Sequence, residues 1–294
     1  MIRPVLKDDA FLADVRAANR DDDNFRLWWL GQSGFLVQWK GSHLLLDPYL
    51  SDSLTKKYAA TDKPHVRMTE RVVDPARLDF IDVVTSSHNH TDHLDGETLG
   101  PLLKANPRLA MITPEGNCDF VGNRLGIDPS FPVGLRDGQV AIVGPFRFTA
   151  VPAAHEDVSP EFLGYVVEFG HWRIYHSGDT LLYDAMVERL KGFAVDVALL
   201  PINGRAPERR VAGNLNGAEA AKLAKAIGAR LVIPCHYEMF EFNTADPADF
   251  VRTAEFIGQP YHVMRCGQRW ESTALRESAV QVLDHPVQRE KIGS

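Results

Sequence analysis

The sequence predicts an α/β protein in which two β-sheets pack face to face with helices on the outside. Three observations lead to that class. Strand-like apolar runs crowd residues 25–50 and 140–176, and each crowd gives way to alternating strand and helix patterns. Strand after strand ends on polar residues of the metal-ligand type, as happens where the carboxyl ends of strands share one rim. No repeat of short fixed period runs along the chain, which sets solenoids and propellers aside.

The elements follow in order. Residues 11–18 read as a short peripheral helix, closed by the run Asp21, Asp22, Asp23, Asn24. From Phe25, RLWWLGQSGFLVQWKGSHLLLDPYL holds three apolar bursts punctuated by Gly31, Gly34 and Gly41, the pattern of hairpin-linked strands. Residues 51–71, with Lys56, Lys57, Tyr58 and His65, have no sustained period and read as a surface excursion or lid of the kind that borders sites. A buried strand at 80–85 runs into SSHNHTDH, and Leu99, Leu102 and Leu103 mark a helix starting near Asp95. Residues 111–114 are a short strand, and 140–152 a Gly-Pro-centred hairpin leading to His155. Residues 165–169 and 172–175 pair around Gly170 and His171 and deliver HSGD. A buried strand at 195–201, an amphipathic helix at 218–227 and a strand at 231–234 running into CHY complete the series. The expected organisation is a peripheral segment at 1–24, a principal domain at 25–270 and a polar peripheral tail at 271–294.

Composition narrows the function classes. A chain of 294 residues that is 45% hydrophobic and 24% charged can bury a sizeable core and lies far from the disordered regime. Lys and Arg number 32 against 39 Asp and Glu, so the net charge of −7 argues against general binding of nucleic acid. Acidic residues interrupt the N-terminal stretch where a signal peptide needs apolar sequence, and no apolar run approaches the ~20 residues of a membrane helix. Cys118, Cys235 and Cys266 are too irregularly spaced for a disulfide framework or a thiolate zinc site. The expectation is a cytoplasmic protein with no membrane or nucleic-acid partner; the sequence is compatible with a homo-oligomer and leaves that state open.

The chemistry concentrates in SSHNHTDH. His88, His90, Asp92 and His93 place four ligand-type side chains within six positions at the end of a buried strand. Alternate residues of an extended segment project to one side, so His88 and His90 can share an ion, while the following turn swings Asp92 and His93 toward a second position. Imidazole and carboxylate without thiolate suit Zn²⁺, Mn²⁺ or Fe²⁺. His155, Asp179 and His236 each follow a strand downstream, where convergence on one rim can bring them to the same ions.

With these motifs in place, the sequence resembles the metallo-β-lactamase superfamily of hydrolases. The likeness runs through LWWLGQSGFLV, LLLDPYL, SSHNHTDHLD, HSGDT, PINGR and VIPCHY. It implies a four-layered αββα sandwich with two divalent metal ions at its edge, Zn²⁺ first in order and Mn²⁺ or Fe²⁺ as alternatives. By resemblance, His88, His90 and His155 hold one metal, Asp92, His93 and His236 the other, and Asp179 bridges both. WWLGQSGF, DPYLSDSL, YHSGDT and PINGR are most similar to the branch containing L-ascorbate-6-phosphate lactonase, from which His155 is a departure that favours a full two-metal centre.

The resemblance implies hydrolysis by a metal-bridging hydroxide. Two divalent ions, two carboxylates and a hydroxide leave a positive formal charge, so the expected substrate is a small anionic ester or lactone such as a sugar-phosphate lactone, with phosphodiester hydrolysis as the alternative. Asp92 is expected to transfer the proton. Asp47 either orients a ligand histidine or caps a turn with Pro48, and His176 is either a hydrogen-bonding support of the ligand shell or a half-buried strand-end residue. Arg205 is the expected substrate-binding guanidinium, and Tyr237 either an oxyanion donor or a packed aromatic.

Overall fold

The computed structural model describes residues 1–18, 22–209 and 212–275. In chain order its elements are α1 (Asp9–Ala17), β1 (Arg26–Gly31), β2 (Gly34–Trp39), β3 (Ser42–Leu46), α2 (Ser53–Tyr58), β4 (Val83–Thr85), α3 (Gly96–Ala105), β5 (Ala110–Pro114), α4 (Cys118–Leu125) and β6 (Val133–Leu135). The second half continues with β7 (Val140–Val143), β8 (Phe146–Ala154), β9 (Val158–Phe169), β10 (Trp172–His176), α5 (Met186–Lys191), β11 (Val197–Pro201), α6 (Gly217–Ala226), β12 (Leu231–Cys235), α7 (Ala248–Ile257) and β13 (Arg269–Glu271). No helix among the described residues is long and apolar enough to cross a membrane.

Two sheets form, and each keeps to one half of the chain apart from β13. The first has the order β13-β1-β2-β3-β4-β5-β6, the second β12-β11-β10-β9-β8-β7. Within each, an antiparallel meander gives way to parallel strands: β1, β2 and β3 alternate before β4, β5 and β6 run parallel, as β7 to β10 alternate before β11 and β12. Of the parallel strands, β4, β11 and β12 are short and buried throughout, as expected when helices cover one face and a second sheet the other. This is the mixed α/β architecture that the sequence predicts.

The sheets meet over an aromatic core. Phe25 packs edge-on against Phe169 and Trp172 of the second sheet, and Trp39 lies 5.7 Å from Phe169. Trp28, Trp29 and Trp172 are fully buried. Side chains of this size remove about 150–250 Å² each from water, which at ~25 cal/mol/Å² is about 4–6 kcal/mol apiece before entropy is charged. On the outside, α1 packs Phe11 against Trp28, while α6, started by a reciprocal Asn216–Glu219 capping box, lies on β11 and β12 with α7 beside it.

The ends of the chain need correction. Residues 1–18 are joined to the core rather than merely peripheral: α1 buries Phe11, Leu12 and Val15, and Asp14 accepts a 2.8 Å bond from the Trp28 indole. At the other end, β13 pairs with β1 and Ser272 Oγ accepts from the Phe25 amide at 3.0 Å, so the division at 270 cuts through an integrated strand. Residues 276–294 of the expected tail lie outside the described residues. The strand expected at 80–85 shortens to β4, because the amide of Ile81 turns aside to the Asn106 side chain.

Candidate metal centre

Every element that feeds the site does so from the carboxyl end of a strand. Gln32 follows β1, Asp47 follows β3, the histidine motif follows β4, and His155, Asp179 and His236 follow β8, β10 and β12. The motif closes on itself through amides of His93 and Leu94 that donate to the His90 carbonyl, and Asp95 then caps α3. Gly178 lets the HSGD loop reach it: its φ is +59°, and a Cβ there would stand 2.5 Å from Ser87 Cβ and Oγ.

The seven predicted ligands come together as two groups. His88, His90 and His155 form one, and Asp92, His93, Asp179 and His236 the other, the ligand atoms of each lying within 4.8 Å of one another. In the first, ring centroids are 4.6, 5.1 and 4.9 Å apart pairwise. In the second, His93 Nε2 lies 3.6 Å from Asp92 and 3.3 Å from Asp179, and His236 Nε2 lies 3.5 and 3.2 Å from the same carboxylates. A tetrahedron with bonds of about 2.0–2.1 Å has edges of about 3.3–3.4 Å, so these separations fit one ion. Asp179 Oδ2 is also 3.7 Å from His155 Nε2, which puts this carboxylate between the groups.

Three atoms carry the fit to a metal furthest. Nε2 of His88, Nε2 of His93 and Oδ1 of Asp179 are buried with no hydrogen-bond partner among the described residues. Buried polar atoms are rarely left so, and here all three belong to a constellation of nitrogen and oxygen ligands.

Surrounding bonds fix the ring orientations. Asp47, fully buried, accepts from the Ser87 amide and Thr85 Oγ1, both at 3.0 Å, from Ser87 Oγ, and from His93 Nδ1 at 2.8 Å. This leaves His93 Nε2 for a metal. His155 Nδ1 donates to the Gly213 carbonyl at 3.0 Å, freeing its Nε2 in the same way. His176 makes no hydrogen bond to a ligand among the described residues: its Nε2 donates to the Ser33 carbonyl at 3.0 Å and ties β10 to the β1–β2 turn.

Electrostatics follow from burial opposed by partners. Burial disfavours the imidazolium of His93, but Asp179, Asp92 and Asp47 outweigh it and raise its pKa well above the usual value. His236 is pushed up to about 9 by the same two ligand carboxylates against its burial. Burial alone pulls toward neutral Asp92 and Asp179, yet the adjacent imidazoles hold both below the ordinary carboxylate range. His88, buried and beside other imidazoles, is held well below its usual value. The carboxylates are therefore charged and ready to ligate.

A cavity of about 390 Å³ opens over the groups, and the excursion at 51–71 borders it through Leu54, Lys57, Tyr58 and His65. Two expected substrate contacts lie elsewhere. Arg205 makes a two-pronged pair with Glu219 at 2.8 and 2.7 Å and is not part of the cavity wall, because the capping box of α6 aims Glu219 at it. Tyr237 packs 4.4 Å from Trp29 and donates its hydroxyl to the Met264 carbonyl, which makes it the packed aromatic. Lys57 and Arg124 are the cationic side chains of the wall, Arg124 also donating to the Asn89 and Leu94 carbonyls.

Gln32 is the residue that sequence reasoning missed. Its Nε2 lies 2.8 Å from Asp92 Oδ2 and 3.0 Å from His236 Nε2, while its backbone carbonyl accepts from the His236 amide. The available signal was a polar residue enclosed by Gly31 and Gly34 in a turn, where Gln32 adopts φ +52°.

Residues 43–237 match the family model described as a Beta-lactamase superfamily domain. A "UPF0173 metal-dependent hydrolase" of Caldivirga maquilingensis is 29% identical over 79% of this chain and 90% of its own length. Among solved structures, Igni18 of Ignicoccus hospitalis, described as a novel metallo hydrolase, superposes with a TM-score of 0.63 at 23% identity, covering 84% of this chain and 98% of that one. The metallo-beta-lactamase fold protein YhfI of Bacillus subtilis gives 0.63 at 20% identity, covering 85% and 100%. Both likenesses are of fold.

Proposed function

Because this chain belongs to the beta-lactamase superfamily, we propose that it is a metal-dependent hydrolase of a small anionic ester or lactone, with a sugar-phosphate lactone as the substrate class. The observation that carries the reading is the pair of ligand groups sharing Asp179, with unpartnered lone pairs, at the base of a cavity that has Lys57 in its wall. The names of relatives that align over most of the chain, metal-dependent hydrolases, support its coarser part, metal-dependent hydrolysis.

His88, His90 and His155 would hold one divalent cation and Asp92, His93 and His236 the other, with Asp179 lying between the two groups. Cations bound there, zinc first and manganese or iron(II) as alternatives, supply Lewis acidity and lower the pKa of water from about 16 to about 7. Asp92 takes the proton of the attacking water. It lies at the cavity floor, and its contacts to Gln32, His93 and His236 all run through Oδ2. Gln32 fixes that carboxylate, and Asp47 fixes the ring of His93. Lys57, in the cavity wall with its ammonium 5.0 Å from the Tyr58 ring, takes the anionic group of the substrate in the place first expected for Arg205. The protein acts in the cytoplasm, without nucleic acid or membrane, alone or as a homo-oligomer.

The test is side-by-side hydrolysis of a sugar-phosphate lactone and a chromogenic phosphodiester by metal-loaded protein, with a chelator control. Chelator-sensitive lactone opening supports the reading. Preferential cleavage of the diester moves the protein to the phosphodiesterases, and turnover that survives chelation overturns the metal requirement.

A further inference from the structure

The lid carries a histidine that the ligand groups do not use. His65, half-buried in the cavity wall, stacks on Tyr58 at 4.2 Å and meets Phe240 and Phe242 edge-to-face at 5.2 and 4.5 Å. Its backbone is equally fixed: Thr55 Oγ1 donates to the His65 carbonyl at 2.8 Å, and the Glu241 amide to that of Val66 at 3.0 Å. So the ring is held in place by built contacts on a segment that has little regular structure.

Its hydrogen bonding has a direction. Nδ1 lies 3.2 Å from the Lys63 carbonyl, which can only accept, so Nδ1 carries the proton and Nε2 the free lone pair. No described group bonds to Nε2. Burial, opposed by the Lys63 carbonyl and by Asp92 across the cavity, lowers the imidazole pKa and keeps this acceptor form in place. The same wall offers the ring of Tyr58 and the ammonium of Lys57, for which no carboxylate lies within ion-pair distance among the described residues.

We propose that His65 is a specificity residue that accepts, at Nε2, a hydrogen bond from a hydroxyl of the substrate, so that the lid selects hydroxylated anions over their deoxy counterparts. The proposal rests on the hydrolase reading above and names which part of the substrate the lid reads. An acceptor whose only rewards are ring stacking and a hydroxyl donor discriminates through the unpaired lone pair it leaves when that hydroxyl is missing.

The experiment compares δ-gluconolactone 6-phosphate with its 2,3,4-trideoxy analogue, using metal-loaded wild type, His65→Phe and His65→Gln. His65→Phe keeps an aromatic ring against Tyr58 and removes the acceptor; His65→Gln restores one. The expected result is a wild-type preference of about tenfold in kcat/KM for the hydroxylated lactone, the scale of one hydrogen bond. That preference falls to near unity in His65→Phe and partly returns in His65→Gln. Calorimetric dissociation constants for the two product acids show the same ratios. Equal losses on both substrates, or a wild type indifferent to the hydroxyls, overturn the proposal. A wild type that opens neither lactone removes the lactonase reading, and the binding ratios for the product acids then decide His65 separately.

Discussion

Asp47 is where a single substitution separates support of a metal ligand from ligation itself. Asp47→Ala removes a buried carboxylate that accepts four bonds, from the Ser87 amide, the hydroxyls of Ser87 and Thr85, and His93 Nδ1. The two hydroxyls can rotate toward other acceptors. The Ser87 amide and the His93 Nδ1–H cannot, and each buried donor left unpaired costs about 1–3 kcal/mol, so the pair costs about 2–6 kcal/mol. The His93 ring also loses the bond that aims Nε2 at Asp92 and Asp179, and loss of such support lowers metal affinity by about 10–100-fold. Zinc competition against a chromogenic chelator measures the second effect, and urea unfolding of the metal-free protein the first. Asp47→Asn keeps the shape and tests the charge: its amide offers one acceptor oxygen and sets N–H groups against existing donors. Zinc affinity within about threefold of wild type in both variants, with unchanged urea midpoints, would refute the reasoning.

Further expectations are narrower. Gln32→Gly keeps a backbone suited to φ +52° while deleting the amide that bonds Asp92 beside His236, so activity should fall about tenfold with little change in urea midpoint. Gly178→Ala drives a methyl into Ser87, so metal affinity and thermal midpoint should fall together, by calorimetry and chelator competition. Arg205→Ala should leave hydrolysis unchanged and cost at most about 1 kcal/mol, because its pairing with Glu219 is half exposed and lies away from the cavity. Burial lowers the pKa of His43 despite Asp82, so its neutral form is favoured on folding. That contribution is full above the unfolded value of about 6.5 and is lost as pH falls below it. Urea midpoints should therefore drop on acidification, with a shallower slope in His43→Gln.

What the sequence made legible was whatever is written in local periodicity and residue type. The apolar bursts of 25–50 became β1 to β3, and the polar turn at each strand's end became a site segment. The less legible elements are the short ones: α2 has six residues, and β6 and β13 have three each, too few for a period to emerge from one sequence. The helix α7 is different, since Phe250 and Ala254 stand at helical spacing and gave a readable signal that went unused.

The ligand set illustrates the division most sharply. Residue types in SSHNHTDH, HED, HSGD and CHY determine on their own which metal chemistry is available, because ligation depends on donor atoms and those are written in the sequence. Which donors meet, and which bystanders support them, depends on distances across 46 to 204 positions, as for Asp47 with His93 and Gln32 with His236. Tertiary structure alone decided that Arg205 is captured by Glu219, that Tyr237 is used by the Met264 carbonyl, and that Lys57 and His65 face the cavity instead. A side chain's chemistry is intrinsic, whereas its availability depends on which competing partner the fold places nearer, and that is a property of packing.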